Sequence, residues 1–159
     1  MKAITASVTR GLNVGANVLA SDNSGARIVR VFGVKKGKVS KGTQQYVKIA
    51  DHVKVSVRAG KPEMKGEVFD AVVIRLKKPF KRNTGERIMF EDNAVALLKD
   101  DKGNPKGTQI KGVVAREVAE RWKAVGKIAQ YVLWQRKNIK MEARNLNKNE
   151  KEIFNIVDK

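Results

Sequence analysis

Residues 71–98 constrain the fold more than any other part of the chain, because their apolar residues alternate along the sequence. Val72, Ile74 and Leu76 occupy every second position, which is the period of a β-strand and not of a helix. After a turn at Gly85, a residue that reaches positive φ without steric cost, the alternation resumes and a short apolar segment follows. The stretch therefore predicts a strand, a hairpin and a further strand.

The predicted hairpin carries a dense group of cations. Between residues 77 and 87 the only acidic residue is Glu86. The cations are Lys77, Lys78, Lys81, Arg82 and Arg87. A solvated, charged loop is the alternative interpretation, but this excess of positive charge favours binding to an anionic partner.

Alternating apolar residues predict further strands before and after this hairpin. In residues 26–34, Val29 and Val31 share one face of the predicted strand and Arg30 lies on the other. The remaining predicted strands cover residues 17–20, 47–50, 53–59 and 108–110. Together these segments predict a mostly β fold, a small five-stranded antiparallel β-barrel with C-terminal helices.

The apolar period changes towards the C-terminus. From residue 114 to residue 133, apolar side chains recur at steps of three and four, which predicts an amphipathic helix interrupted at Gly126. Residues 134–159 contain seven cations, four acids and thinly spread apolar residues. We therefore predict a β-barrel domain with a C-terminal helical part over residues 1–133. A basic, partly helical C-terminal extension is expected over residues 134–159, ordered on a partner surface.

The overall charge indicates a polyanionic partner. The chain has 34 Lys and Arg residues against 16 Asp and Glu residues, a formal net charge of +18. Nucleic acid is the commonest neutraliser of so basic a domain, because each phosphate contact releases counterions. A membrane surface is the competing partner, but it usually requires a basic amphipathic helix or a lipid signal.

A second basic segment covers residues 35–46, where Gly and cations replace large apolar residues. Its cations are Lys35, Lys36, Lys38 and Lys41. The segment is either a flexible hairpin tip or a loop moulded on a phosphate backbone. We favour the second interpretation, because no acid within the segment offsets these four charges.

The sequence offers little chemistry for catalysis. It has no Cys, which excludes disulfides, thiolate chemistry and Cys-bearing zinc sites. His52 is the single His, and its neighbour Asp51 would point to the opposite face of a strand. Residues 100–104 lack the ligand spacing of a calcium loop. We therefore expect neither an enzyme nor a bound metal or cofactor.

Aromatic residues are few, so base stacking is not expected to dominate recognition. Phe32, Phe69 and Phe90 lie in apolar strands and are predicted to be in the core. Phe80 and Tyr46 remain as candidates for stacking on bases. The pattern favours recognition of nucleic-acid shape and backbone rather than base identity.

Three motifs, in order along the chain, resemble one known family. They are DNSGARIVRV at residues 22–31, GKPEMKGEVFDAVVIRLKKPFKRNTGERIMFEDNAVALL at residues 60–98, and PKGTQIKGVVAREVAE at residues 105–120. The motifs resemble the universal large-subunit ribosomal proteins of the L-fourteen family, in particular the archaeal and eukaryotic branch. The hairpin turn departs from the family, which more often has Asp-Gly after a Pro, so its turn type stays open.

The resemblance implies a five-stranded β-barrel in a structural constituent of the large ribosomal subunit, located in the cytoplasm. It also implies binding to large-subunit rRNA near the subunit interface and a contribution to a bridge with the small-subunit rRNA. The implied protein neighbours are the large-subunit protein of the L-three family and an anti-association initiation factor near the C-terminal region.

By position, the resemblance assigns rRNA binding to cations of the barrel and hairpin. They are Arg27, Arg30, Lys77, Lys78, Lys81, Arg82 and Arg87. The 35–41 loop is a looser assignment, because its length varies in the family. Arg116, Glu117 and Glu120 match a family helix start, where they either contact a protein or cap and solvate the helix. A barrel that binds RNA transiently, or a nucleic-acid-processing enzyme, is the alternative function.

Overall fold

The computed structural model describes residues 3–35, 38–40 and 42–134. The helices are α1 (Arg116–Arg121) and α2 (Lys123–Lys127), and a single 3-10 turn covers Pro62–Met64. The strands are β1 (Ala6–Ser7), β2 (Leu12–Asn13), β3 (Asn17–Ala20), β4 (Ala26–Val34), β5 (Lys38–Val39), β6 (Gly42–Thr43), β7 (Tyr46–Val47), β8 (His52–Gly60), β9 (Val68–Arg75), β10 (Phe80–Arg82), β11 (Arg87–Ile88), β12 (Ala94–Leu98), β13 (Ile110–Ala115) and β14 (Ala129–Leu133).

Five strands close into a barrel in the order β12-β3-β4-β8-β9, which confirms the predicted fold class. Four of the five pairings are antiparallel, but β12 closes the barrel by a parallel pairing with β3. In that pairing the N–H of Leu19 donates to the carbonyl of Asn93, and the N–H of Ser21 donates to that of Val95. Closure leaves the barrel without the unpaired sheet edges that promote aggregation.

The barrel core follows the alternation of its strands. On β8, Val53, Val55 and Val57 point inward and are almost fully buried, whereas Lys54 and Arg58 are exposed. Along β9 the alternation of apolar residues does not separate a buried face from an exposed one, because all of residues 71–76 are buried. The outer side of β9 is covered by β13, whose carbonyls accept hydrogen bonds from the β9 side chain Arg75.

The predicted helix over residues 114–133 is wrong at both ends. Residues 114 and 115 belong to β13, residues 129–133 form β14, and only the two short helices lie between them. The interruption falls at Trp122 (φ −118°, ψ 78°) and not at Gly126. The indole N–H of Trp122 donates to the carbonyl of Ala50 at 2.9 Å, so a tertiary contact holds this residue outside helical geometry.

The last two strands pair with each other, although two helices separate them along the chain. β13 and β14 run parallel, with Val114 opposite Val132 and Ala115 opposite Leu133. A parallel pair needs a crossover connection, which α1 and α2 supply. Apolar residues three and four apart are compatible with both arrangements, and the pairing partner decides between them. The predicted extension lies outside the described residues, apart from Trp134.

Within the described part of the chain, no helix has the length and apolar character needed to cross a membrane.

Candidate nucleic-acid interface

The basic hairpin, defined here as residues 77–88 with strands β10 and β11, stands on a small three-stranded sheet. The N-terminal strand β1 pairs with β10 antiparallel, and β10 pairs with β11. Asn93 anchors the base of the hairpin, because its Oδ1 atom accepts the backbone N–H of Lys77 at 2.8 Å. Thr9 donates to the carbonyl of Pro79 at 2.9 Å. The hairpin is therefore supported by the N-terminal arm as well as by the barrel.

The hairpin turn has a defined geometry. The N–H of Arg82 donates to the carbonyl of Glu86 at 2.9 Å, and the N–H of Gly85 donates to the carbonyl of Arg82 at 3.0 Å. Gly85 has φ 90°. A three-residue loop whose last residue is left-handed is typical of a type I turn followed by a G1 bulge. This answers the question of turn type that the departure from the family pattern left open.

Lys81 and Arg87 lie directly opposite each other on β10 and β11. Directly opposed residues of an antiparallel pair project to the same face, with Cβ atoms about 5 Å apart, and like charges in such a pair are destabilising. Both side chains are exposed, and neither takes part in an ion pair among the described residues. Lys77 and Lys78 are exposed at the base of the same hairpin. Among the residues that the structure describes, these four cations therefore have no counter-charge of their own.

Arg82 does not belong to this exposed cluster, although the sequence pattern assigned it there. Its side chain is buried, and its Nε atom lies 2.6 Å from Oε1 of Glu117. Its Nη atoms donate to the carbonyls of Leu133 and Trp134 at 2.8 and 2.9 Å. Alternation explains the placement, because Phe80 and Arg82 point inward on β10 whereas Lys81 points outward. The guanidinium therefore joins the hairpin to the C-terminal strands.

Two of the aromatic side chains also lie on the opposite side from the one predicted. Phe80 is only 2% exposed, so it is part of the core and unavailable for stacking on bases. Phe32 was predicted to be in the core, but 46% of its surface is exposed on the outside of the barrel. Its strand β4 contains a bulge there, since the register moves from the Val31–Val55 pair to the Gly33–Lys54 pair. Tyr46 is half-buried and carries the guanidinium of Arg10 over its ring at 4.6 Å.

The barrel wall exposes both predicted arginines of β4. Arg27 and Arg30 project outward, and Nε of Arg30 donates to the carbonyl of Gly15 at 3.2 Å. Lys35 is different, because its ammonium group contacts the carboxylates of Asp70 and Asp101. The bond with Asp101 is the main cause that raises the pKa of Lys35 above its ordinary value of 10.5, while burial opposes it. Lys35 thus forms ion pairs within the chain at the start of the 35–41 loop.

The rest of the 35–41 loop is only partly described. Lys36 and Lys41 lie outside the described residues, and of Lys38 the backbone is described as part of β5. The predicted role of these residues in rRNA binding therefore stays a prediction.

His52 is a core residue beside the Lys35 cluster. It is 5% exposed, and its ring meets the edge of Trp122 with centroids 5.3 Å apart. His52, Asp70 and Asp101 bring potential ligand atoms within 4.8 Å of one another. The ammonium group of Lys35 contacts both carboxylates, so a cationic group of the chain already pairs with them. The ion pairs of Lys35 therefore hold the end of β4 and its loop against β9 and the loop at Asp101.

The residues predicted to contact proteins lie on α1 and are engaged within the chain. Glu117 is 1% exposed and pairs with Arg82. Arg116 and Glu120 form an ion pair at 3.0 Å one turn apart, and Thr5 donates to Glu120 at 3.0 Å. The helix has no side-chain cap at its N-terminus. Of the three, Arg116 and Glu120 remain at the surface, and Glu117 does not.

Comparison with known proteins gives a consistent result. A family model described as ribosomal protein L14p/L23e matches residues 11–133. The chain is 55% identical to the large ribosomal subunit protein uL14 of Nanoarchaeum equitans over 133 residues, which are 84% of this chain and all of that protein. It is 50% identical to the uL14 protein of Methanothrix thermoacetophila, covering 81% of this chain and 95% of the relative. It is 41% identical to the uL14 protein of Haloarcula marismortui, covering 84% of this chain and all of the relative.

Proposed function

This chain belongs to the ribosomal protein L14p/L23e family, and on that premise we propose that its basic hairpin binds the rRNA of the large ribosomal subunit. The family consists of structural ribosomal proteins, so the chain is a structural constituent of the ribosome and not an enzyme. Its location follows from this role, on ribosomes in the cytoplasm.

The observation that carries the proposal is the Lys81–Arg87 pair. Two cations held opposite each other on an antiparallel hairpin repel one another in the free protein. A phosphate placed between them would relieve that repulsion, with Arg87 able to fork onto the phosphate and Lys81 acting as a point charge. Lys77 and Lys78 extend the same positive surface towards the barrel. Sequence-independent backbone binding is the recognition mode that such a cluster supports.

The finer parts of the proposal concern the neighbours of this interface. Arg27 is exposed on the barrel wall outside the hairpin, so it is a cation available to a second RNA surface, such as small-subunit rRNA at a bridge. The C-terminal part offers exposed aromatics for protein neighbours, with Tyr131 42% and Trp134 48% exposed. We propose this side for an anti-association initiation factor and a protein of the L-three family, with Arg116 and Glu120 at its margin.

The test is the salt dependence of rRNA binding. The Lys81→Ala/Arg87→Ala variant should bind a large-subunit rRNA fragment more weakly, and the slope of log K against log salt should become shallower by about 0.7 to 0.9 for each phosphate that the variant no longer neutralises. The matched control is Lys65→Ala/Lys99→Ala, which removes two exposed cations near the other end of β9. Equal losses of affinity in both variants would mean that only net charge matters and that the hairpin is not the binding site.

A further inference from the structure

The outside of the barrel carries a second surface whose chemistry differs from that of the hairpin. Four large apolar side chains point into solvent from β3, β4 and β9, and we call them the outer apolar face. They are Leu19 at 47%, Ile28 at 39%, Phe32 at 46% and Val68 at 56% exposed. The exposed face of an antiparallel sheet is ordinarily polar, so four such residues indicate a surface that is covered in use.

Strand register brings these residues together. Leu19 lies directly opposite Ile28. Arg30 follows two positions along β4 and pairs with Ser56 of β8, which in turn pairs with Val68 of β9. Residues opposite each other in antiparallel pairs project to the same side. The four apolar side chains therefore lie on the same outer side of the barrel wall as Arg30, with Ile28 and Phe32 two positions before and after it on β4.

We propose that the outer apolar face is the docking surface for a neighbouring protein that presents apolar side chains flanked by Asp or Glu. Three of the four residues are branched aliphatics, whereas unpaired bases stack on aromatic rings and guanidinium planes. Exposed apolar side chains next to an Arg are the composition of a protein–protein interface. This assigns Arg30 to a protein contact rather than to rRNA.

Charge on the face selects the acidic character of the partner. Arg30, Lys54 and Arg58 are exposed on the β4–β8 wall. The carboxylate of Asp70, which lies opposite Lys54 in the strand register, is engaged by Lys35 at 3.2 Å. A partner with acidic residues around its apolar contact would therefore meet complementary charge.

An open groove of ≈ 320 Å³ adjoins the Leu19–Ile28 pair and gives the partner a place for a side chain. Lys77 of the basic hairpin and Glu91 lie in its lining. The protein interface and the proposed rRNA interface would thus meet at Lys77. The inference rests on the proposed function because it requires that the chain is bound in the large subunit, where the partner protein is sought.

The experiment uses large subunits purified from cells that express the full chain with the photoreactive residue p-benzoylphenylalanine in place of Phe32. We expect irradiation to cross-link this position to a peptide of another ribosomal protein, at a stretch with apolar and acidic residues. A cross-link to rRNA, a cross-link to a peptide without acidic residues, or no cross-link would overturn the inference. The same photoreactive residue in place of Lys81 tests the proposed function separately, since it should cross-link to rRNA.

A pair of opposite substitutions checks the charge. Ile28→Asp places a negative charge among the apolar residues, and Ile28→Lys places a positive charge at the same exposed position. Against an acidic partner we expect Ile28→Asp to lower the cross-linking yield from Phe32 at least about tenfold, while Ile28→Lys retains most of it. The reverse order would contradict the proposed partner. Binding of the isolated variants to the rRNA fragment should be unchanged, and a weaker binding there would assign the face to RNA.

Discussion

The Nε atom of Arg82 lies 2.6 Å from Oε1 of Glu117 inside the protein, although the two residues are 35 positions apart in the sequence. A second hydrogen bond joins Nη2 to Oε2 at 3.2 Å, and two main-chain carbonyls take up further N–H groups. The pair connects the basic hairpin to α1 and to the end of β14. An arginine of the hairpin thus stabilises the fold, while its neighbour Lys81 is exposed for binding.

The first prediction separates these two roles. Glu117→Gln preserves the shape of the side chain but removes the nearer of the two carboxylates that pair with the buried guanidinium of Arg82, since Glu86 lies 3.9 Å away. We expect the free energy of unfolding in urea to fall by about 3 to 5 kcal/mol. Lys81→Ala serves as the control and should change stability by no more than about 0.5 kcal/mol, because the side chain is exposed. Similar decreases in both variants would contradict the assignment of Arg82 to the interior.

The second prediction concerns the repulsion between Lys81 and Arg87. Arg87→Glu converts the pair into opposite charges on facing strands. The free protein should gain stability, by about 0.2 to 1 kcal/mol at low salt, while its affinity for the rRNA fragment should fall. Arg87→Gln is the control, since it removes the repulsion without adding an attraction. Stability and affinity that change in the same direction would show that the two charges do not face each other.

The third prediction concerns the turn of the basic hairpin. Gly85 has φ 90°, and a Cβ atom added there would meet nothing within 4 Å. The cost of Gly85→Ala is therefore backbone strain alone, about 1 to 2 kcal/mol by urea unfolding. Gly33 has equally open surroundings and no positive φ, so Gly33→Ala should be neutral or slightly stabilising. Equal costs at the two positions would argue against the left-handed turn residue.

The fourth prediction is a pH dependence at the cluster of Lys35 and Asp101. The hydrogen bond from Lys35 is the main cause that lowers the pKa of the Asp101 carboxyl below 3.8. A depressed acid stabilises the fold above its unfolded pKa and loses that contribution as pH falls through the folded pKa. Asp101→Asn should therefore be less stable than the wild type at neutral pH, with the difference shrinking below pH 3.8.

The raised pKa of Lys35 predicts that the stabilisation from the Lys35–Asp101 pair is also lost at alkaline pH. The contribution of protonated Lys35 to the free energy of unfolding is complete below pH 10.5 and is lost as pH rises through the folded pKa. Chemical denaturation across the pH range measures both limits. Asp100→Asn is the control, because the Asp100 carboxylate accepts from Asn104 and has no contact with Lys35 among the described residues. A pH-independent difference for Asp101→Asn would exclude the ion pair in solution.

Strand positions were predictable wherever local signals were sufficient. β3 and β4 have the predicted bounds, because turn residues separate their two apolar runs. Most of β13 and all of β14 were missed, because their parallel pairing joins residues such as Val114 and Val132 that no local signal connects. The residues of the proposed binding site also differ in whether the sequence predicted their placement. Lys81 follows from composition alone, whereas the burial of Arg82 depends on Glu117, which only the fold brings near.

The sequence by itself determined the barrel strands, the hairpin, its excess of positive charge and the family resemblance, because each depends on residues that are neighbours along the chain. The tertiary structure decided which cations are free and which are structural, and it placed Phe32 outside and Phe80 inside. The physical reason is that a charged or aromatic side chain takes its role from its burial and its partners. Those are set by strand register and bulges, and by contacts between distant parts of the chain.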